Sequence, residues 1–305
     1  MKRALVGLLA LGALALAPAP ASAAYPNGGI FTFSQGTAGK PGVYRSINSQ
    51  LTRPGGSIFV THFANWRADK LLGLGAYASV SVDFAHPVAS RYMGPDYGFN
   101  LYAPQGVTFP SDAGWNVLYF PPGTPNVLTV TAGANNRESN YVFIDHPLAN
   151  GHPDAVILVQ QLAALGTAAA PPRNVGVWYH TARQRWAIFH QNRAVPMEAG
   201  EQFDVLVQPA LTGGTRTVVA DASTLRGNAV RLPNLVGGRL VVTQNWAPRS
   251  VYNDHPIGVR LNGPLPTNPY QAASAAEWEI FNEDGAAMPD GAAFNVVVDP
   301  SPGVQ

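Results

Sequence analysis

The chain has 305 residues, of which 46% are apolar and only 12% are charged. This apolar content is enough to build buried cores and excludes a disordered chain, which would have low hydrophobicity and high net charge. The 19 Lys and Arg residues nearly balance the 18 Asp and Glu residues, which argues against binding of nucleic acid through a basic surface. Cysteine is absent, so disulfides, Cys-ligated metals and thiol catalysis are excluded.

The first 23 residues have the pattern of a secretory signal peptide. Lys2 and Arg3 precede an apolar run over 4–16, and Ala21-Ser22-Ala23 supplies the small residues for cleavage after Ala23. The apolar run is shorter than the ~20 residues that span a bilayer. Cleavage leaves a formal charge of 17 − 18 = −1. We therefore expect a secreted or periplasmic protein with no transmembrane segment after signal removal.

One aromatic pattern occurs three times in the mature chain. A segment of the type Trp-x-Ile-Phe is followed further along by an aromatic residue, Asn or Asp, and Val. The first aromatic recurs 87 and 92 positions apart and the second 88 and 91 positions apart, so the two landmarks stay in step. The first landmarks are Phe99, Trp186 and Trp278, and the second are Trp115, Phe203 and Phe294.

The spacing predicts three tandem units of about 94 residues, each large enough to hold a core. Their predicted ranges are 25–124 (unit 1, diverged), 125–211 (unit 2) and 212–305 (unit 3, with the fullest motif).

The apolar residues within a unit alternate as they do in strands. Phe203, Val205 and Val207 recur with a period of two, which is typical of a strand with one buried face. The Trp186 segment shows the same period, and we expect these two strands to form a hairpin-like pair. Candidate helices are short and limited to 68–74 and 271–278. The fold class is therefore predicted to be all-β, with three small β-sandwich modules of six to eight strands each, and with the 31 Gly and 27 Pro in their turns.

Unit 3 contains the fullest form of a longer motif. Val242-Thr243-Gln244-Asn245-Trp246 is followed by Val251-Tyr252-Asn253-Asp254-His255-Pro256-Ile257 and then by the Trp-x-Ile-Phe segment. With this motif the chain resembles an uncharacterised bacterial family of secreted repeat proteins that is catalogued as a domain of unknown function. The resemblance implies tandem modules and export, and it implies no activity.

The aromatic residues form two groups. The five landmark residues other than Phe99 lie on the buried phase of strands and are expected in the core. A second group lies in loop-like segments, where aromatic and polar side chains commonly bind sugar rings or partner proteins, with loop packing as the alternative. The aromatic members of this second group are Trp66, Tyr77, Tyr92, Tyr97, Trp178, Trp246 and Tyr252. The candidate binding residues are Thr243, Gln244, Asn245, Trp246, Tyr252, Asn253, His255 and Trp178.

No motif predicts catalysis, a metal site or a cofactor. His86 and His255 share a Ser-Val-x-x-x-His-Pro context, but no two His residues have the spacing of metal ligands on one strand. Glu277 and Glu279 flank Trp278, yet unit 2 has no acid at either equivalent position. Nucleophile elbows, phosphate loops and dinucleotide fingerprints are absent from the sequence.

We therefore expect an exported, non-enzymatic binding or cell-surface protein. The expected partner is a glycan or a cell-envelope or extracellular protein, and not a nucleic acid. An extracellular hydrolase of a polymer or glycan and a purely structural spacer are the alternatives.

Overall fold

The computed structural model describes residues 29–34, 54–64, 84–94, 98–110, 113–164, 171–209, 214–233, 235, 239–262 and 277–299. Every regular element in these ranges is a β-strand, so the all-β fold class is confirmed. Within them, no helix is long and apolar enough to cross a membrane. The predicted signal peptide, the helical candidate at 68–74, residues 271–276 of the second helical candidate and the aromatic residues Trp66, Tyr77 and Tyr97 lie outside the described residues. The last two residues of the second candidate, Glu277 and Trp278, lie in a strand, so the helix predicted there is wrong.

The described residues form nineteen strands, and units 2 and 3 each contain seven of them. Unit 1 contains β1 (Gly29–Ser34), β2 (Ser57–Phe63), β3 (Ala89–Tyr92), β4 (Phe99–Tyr102) and β5 (Gly114–Phe120). Unit 2 contains β6 (Val127–Thr131), β7 (Arg137–Glu138), β8 (Tyr141–Phe143), β9 (Val156–Leu162), β10 (Val175–His180), β11 (Arg185–His190) and β12 (Gln202–Gln208). Unit 3 contains β13 (Thr215–Val219), β14 (Leu225–Arg226), β15 (Ala229–Leu232), β16 (Arg239–Asn245), β17 (Ile257–Asn262), β18 (Glu277–Asn282) and β19 (Ala293–Asp299).

The strands form three mixed sheets, and each sheet combines strands of two units. The strand orders are β1-β5-β2-β17-β18-β15-β14 in sheet 1, β13-β19-β16-β10-β11-β8-β7 in sheet 2 and β4-β3-β9-β12-β6 in sheet 3. In each sheet a parallel pair joins the two units: β2 with β17, β16 with β10, and β9 with β3. Because every unit supplies strands to two sheets, the three units interlock in a closed cycle.

The predicted hairpin between the Trp186 and Phe203 strands is wrong. β11 lies in sheet 2 between β10 and β8, whereas β12 lies in sheet 3 between β9 and β6. The connection over 191–201 contains Pro196 and crosses from one sheet to the other, and it is longer than the two to five residues of a usual hairpin loop. The two strands share an apolar period because they face the same core from opposite sheets.

Each unit has its own apolar core, with a landmark Trp inside it. Trp115, Trp186 and Trp278 are each 1% exposed, and Phe203 and Phe294 are fully buried. The three Trp side chains belong to three separate clusters, one for each unit. The predicted core role of these five aromatic residues is confirmed.

A fourth apolar cluster lies where the three units meet. Phe59, Leu158 and Val241 occupy equivalent positions on β2, β9 and β16 and pack together there with Leu118 and Leu206. Burial of such side chains contributes about 1.5–3 kcal/mol each relative to exposure. The centre of the molecule is therefore a shared core that none of the units builds alone.

Next to this cluster, three hydrogen bonds run from unit to unit around the centre. The backbone N–H of Val242 donates to Oγ1 of Thr61 (2.9 Å), that of Val159 to Oγ1 of Thr243 (3.0 Å), and that of Val60 to Oε1 of Gln160 (3.2 Å). Unit 3 thus donates to unit 1, unit 2 to unit 3, and unit 1 to unit 2. We call Thr61, Gln160 and Thr243 the inter-unit ring.

A second set of buried polar residues comes directly after the second landmark aromatic residue in the sequence of each unit. Nδ2 of Asn116 donates to the carbonyl of Leu240 (3.1 Å), and Nδ2 of Asn295 donates to that of Ile157 (2.9 Å). Unit 2 has Asp204 at this position, 3% exposed. Burial raises the pKa of Asp204, although hydrogen bonds from Thr129 and Ser57 oppose the shift. At this equivalent position, units 1 and 3 therefore carry a side-chain amide, whereas unit 2 carries a desolvated carboxyl group.

Candidate functional site

The eight predicted site residues lie at the junction of units 2 and 3, and the structure divides them into two groups. Trp178, Trp246 and Tyr252 are half-buried and line one cleft. Thr243, Gln244, Asn245 and Asn253 are buried beneath this junction. His255 is half-buried and lies outside the cleft lining.

The parallel pairing of β10 with β16 brings the two indole rings together. Gly176 lies opposite Gln244 in this parallel pair. Trp178 and Trp246 follow two residues later in their respective chains, so they lie opposite each other as well. The backbone N–H of Trp246 continues the ladder by donating to the carbonyl of Val177 (2.9 Å). The ring centroids of Trp178 and Trp246 are 5.6 Å apart at an interplanar angle of 79°.

Trp178 lies on strand β10 and not in a loop, so its predicted loop position is wrong. Side chains alternate across a strand, and Val177 is buried in the core of unit 2 while Trp178 lies on the opposite face. Tyr92, expected in a loop as well, lies on β3. Trp246 and Tyr252 follow the end of β16 and do lie in a loop.

The cleft has a volume of about 250 Å3 and walls that are mainly aromatic. Tyr252 contacts Trp246 at 6.1 Å and Phe189 at 5.6 Å between ring centroids, and Tyr141 contacts Trp178 at 5.6 Å. All of these ring pairs except Trp246–Tyr252 meet nearly edge to face, with interplanar angles of 79–86°. The rings therefore border the cleft from several directions. We call this site the aromatic cleft; its lining residues are Ser139, Asn140, Tyr141, Trp178, Phe189, Arg193, Trp246 and Tyr252.

Polar residues also border the aromatic cleft, namely Ser139, Asn140 and Arg193. The exposed Arg193 places its guanidinium carbon 5.3 Å from the ring centroid of Tyr252 and is the one ionised group among the lining residues of this cleft. Nε1 of Trp246 is buried and has no hydrogen-bond partner among the described residues. Burial raises the pKa of the Tyr141 hydroxyl, and the neighbouring Glu138 carboxylate raises it further, so this hydroxyl keeps its proton at neutral pH.

The buried amides near the cleft make hydrogen bonds between units 2 and 3 and within unit 3. Nε2 of Gln191 donates to Oε1 of Gln244 (3.0 Å), and Oε1 of Gln191 accepts from the backbone N–H of Asn253 (3.1 Å). Nδ2 of Asn253 donates to Oδ1 of Asn282 (2.8 Å). Nδ2 of Asn245 donates to Oδ1 of Asn295 (2.9 Å). These side chains support the cleft rather than line it.

His255 forms a partly exposed pair with Asp284, with 2.6 Å between Nδ1 and Oδ2. Burial opposes ionisation of Asp284, but the hydrogen bonds from His255 and from the backbone N–H of Ala286 outweigh it and hold its pKa below the ordinary value. This pair lies beside the unit junction and contributes no lining residue to the aromatic cleft.

The corresponding place between units 3 and 1 is built differently. There β17 pairs in parallel with β2, with Gly258 opposite His62, so Arg260 takes the place of Trp178 and Ala64 that of Trp246. Ala229, which faces Phe281, takes the place of Tyr141. Ala64, Ala229 and Phe281 pack as a buried cluster, and Arg260 lies 4.6 Å from the ring centroid of Phe281. The fold therefore closes this junction without aromatic side chains at the positions of Tyr141, Trp178 and Trp246.

Five cleft residues escaped prediction from the sequence. Ser139, Asn140, Tyr141 and Arg193 lie outside the repeated motif, and Phe189 belongs to the Trp-x-Ile-Phe segment, which indicates packing. A usable signal was the contrast between units, since Tyr141 and Trp178 stand where unit 3 has Ala229 and Arg260.

The acidic pair that could serve a hydrolase is engaged in ion pairs. Glu279 is fully buried and accepts from Nε of Arg260 (2.9 Å) and Nδ2 of Asn262 (2.5 Å). Glu277 pairs with Arg231. Across the part of the chain that the structure describes, no group of three His, Asp or Glu residues has an arrangement that could hold a metal ion.

The fold and the cleft define an all-β protein of interlocked tandem units with an aromatic ligand-sized cleft at one junction. The family model described as Domain of unknown function (DUF7452) matches the chain twice, over residues 92–207 and 176–264. Since these matches span more than half of the chain, the protein belongs to this family, and the double match agrees with tandem units. No curated protein and no solved structure is similar to the chain.

Proposed function

We propose that the protein is an exported, non-enzymatic binding protein that holds a saccharide in the aromatic cleft. The single observation that carries this proposal is the convergence of Trp178, Trp246 and Tyr252, from two units, on one open space. Aromatic faces pack against the apolar face of a sugar ring, and small-molecule sites typically combine such walls with a few polar groups.

The comparison of the two junctions supports a ligand rather than a packing role. Ala64 and Arg260 close the junction between units 3 and 1, so Trp246 and Trp178 are larger than interlocking requires. Half-exposed aromatic rings around an open cleft leave apolar surface in water, which is unfavourable unless a ligand covers it.

The size of the cleft favours a single sugar ring. Its volume of about 250 Å3 lies just below the ~300–1,000 Å3 of sites for drug-sized ligands. Arg193 at its border provides donors for hydroxyl or carboxylate oxygens of the ligand. Export follows from the signal-peptide pattern of residues 1–23 and agrees with a ligand in the cell envelope or outside the cell.

A saccharide array that includes neutral and uronic-acid oligosaccharides tests the proposal. The purified protein is expected to bind a subset of the array, and Trp178→Ala is expected to lose that binding. Tyr102→Ala is the matched control, because Tyr102 is a half-buried aromatic residue of unit 1 outside the cleft. Failure of the protein to bind any arrayed saccharide and to associate with cell envelopes would overturn the proposal.

A further inference from the structure

A second cavity, of about 90 Å3, lies where the three units meet. The inter-unit ring lines it, and so does the next residue of each central strand. Because all three units contribute at equivalent positions, we call it the axial cavity. It holds several waters or a small ion, since one water needs about 10–15 Å3 of such volume. The three residues that follow the ring residues are His62, Gln161 and Gln244.

The glutamine amides of the axial cavity are already engaged. Nε2 of Gln160 donates to the carbonyl of Val88 (3.2 Å), and Nε2 of Gln244 donates to that of His255 (3.0 Å). Nε2 of Gln161 donates to the carbonyl of Pro171 (3.4 Å). These amides therefore have little donor capacity left for a bound molecule.

Three other nitrogen atoms of residues that line the cavity are buried and have no hydrogen-bond partner among the described residues: Nε of Arg173 and both ring nitrogens, Nδ1 and Nε2, of His62. Arg173 also makes no ion pair within those residues. A buried guanidinium N–H without an acceptor is costly, and such groups in proteins contact a water or an ion. The unpaired Nε–H of Arg173, a residue that lines this cavity, therefore points to an acceptor there.

His62 is 2% exposed and is held from its other side. Its Nδ1 lies 2.8 Å from Oε2 of Glu283, and the same oxygen accepts from the backbone N–H of Phe84 (2.7 Å). The neutral ring has one N–H and one lone pair, so both of its nitrogens are donors only when the ring takes up a proton.

We propose that the axial cavity binds one small oxyanion, a carboxylate or a phosphate, between the guanidinium of Arg173 and the protonated imidazole of His62. The proton is taken from solvent and resides on Nε2 of His62. The other charged or titratable groups that line the cavity are Glu283 and His86. Glu283 balances the His62 imidazolium, so Arg173 supplies the excess positive charge, and protonation of His86 adds to it.

Binding should strengthen as the pH falls, because the proton on His62 is gained with the anion. The axial cavity and the aromatic cleft share no lining residue, so this proposal does not depend on saccharide binding.

Isothermal titration calorimetry of the purified protein with inorganic phosphate and, separately, acetate tests the proposal at constant ionic strength in chloride. Arg173→Gln should weaken binding about tenfold or more, because a hydrogen bond to a charged group is lost. His62→Gln should remove the pH dependence, and the fold should accept it because Gln161 and Gln244 occupy this position in the other units. His152→Gln, at an exposed site, is the control.

Saturable binding of phosphate or acetate that is weakened by Arg173→Gln supports the site, and the tighter of the two anions identifies its chemistry. Absence of saturable binding of both anions means that only water occupies the cavity and overturns the proposal. Equal binding by the wild type and Arg173→Gln also overturns it. A pH dependence that persists in His62→Gln contradicts the proton uptake. Trp178→Ala should bind either anion normally, which separates this site from the saccharide site.

Discussion

The indole rings of Trp178 and Trp246 meet edge to face with their centroids 5.6 Å apart, although they belong to different units. The parallel pairing of β10 with β16 sets this contact, because it places Gly176 opposite Gln244. The aromatic cleft therefore exists only when units 2 and 3 are interlocked. A ligand bound there would contact both units and would stabilise their association by mass action.

Trp246→Ala tests whether this ring serves binding or packing. Ala64 occupies the equivalent place at the other junction, so we expect a loss of only about 1–2 kcal/mol in the free energy of unfolding. Trp186→Ala, in the core of unit 2, should cost about 3–5 kcal/mol. Urea unfolding measures both. Equal losses would mean that Trp246 is a core residue and would weaken the case for a ligand site.

Thr243→Val tests the inter-unit ring. The change keeps the shape of the side chain but leaves the buried N–H of Val159 without its acceptor, which should lower the free energy of unfolding by about 1–3 kcal/mol. Thr243→Ser keeps the hydroxyl and should lose less. Denaturant melts of the two variants provide the comparison, and a Val variant as stable as the Ser variant would show that the ring contributes little.

Asp204→Asn should stabilise the protein in a pH-dependent way. Burial raises the pKa of this carboxyl in the folded state, so its unfavourable contribution is absent below its unfolded pKa of ~3.9 and develops as the pH rises through the folded value. The difference in unfolding free energy between the variant and the wild type should therefore grow over this range and then level off. Parallel pH profiles of the two proteins would contradict the assignment.

Arg193→Gln should discriminate between classes of saccharide. Arg193 is the ionised residue of the aromatic cleft, so its loss should weaken binding of uronic-acid ligands by about tenfold and leave neutral ligands nearly unaffected. Array binding at two salt concentrations checks this, since the acidic ligands should also lose affinity at high salt. An equal effect on both classes would show that Arg193 acts through Tyr252 and not through charge.

Part of this architecture was predictable from the sequence. The period of two in β12 and the recurrence of Trp186 and Trp278 predicted strands and buried aromatic residues. The single buried face predicted for β12 is wrong, because Leu206 on its other face packs in the shared central cluster. Periodicity does not report the partner of a strand. The separation of β11 from β12 into different sheets, and the exchange of strands between units, depend on long-range pairing and were not visible in the sequence.

The candidate site, too, was predicted only in part from the sequence. Trp178, Trp246 and Tyr252 were predicted from composition and position, and they do come together. The polar candidates Thr243, Gln244, Asn245 and Asn253 look like ligand contacts in a sequence, but in the fold they pair with buried groups. Thr243 and Gln244 bond to unit 2, and Asn245 and Asn253 bond to Asn295 and Asn282 of their own unit. Sequence patterns identify polar residues without showing whether water or another strand is their partner.

The most direct test of the central claim is a calorimetric titration of the wild type, Trp178→Ala and Tyr102→Ala with a saccharide that the array identifies. The account predicts saturable binding by the wild type and by Tyr102→Ala, and affinity lower by at least about tenfold in Trp178→Ala, as for a residue at the centre of a binding site. Equal affinity of Trp178→Ala and the wild type would contradict the account, because the saccharide would then bind outside the aromatic cleft.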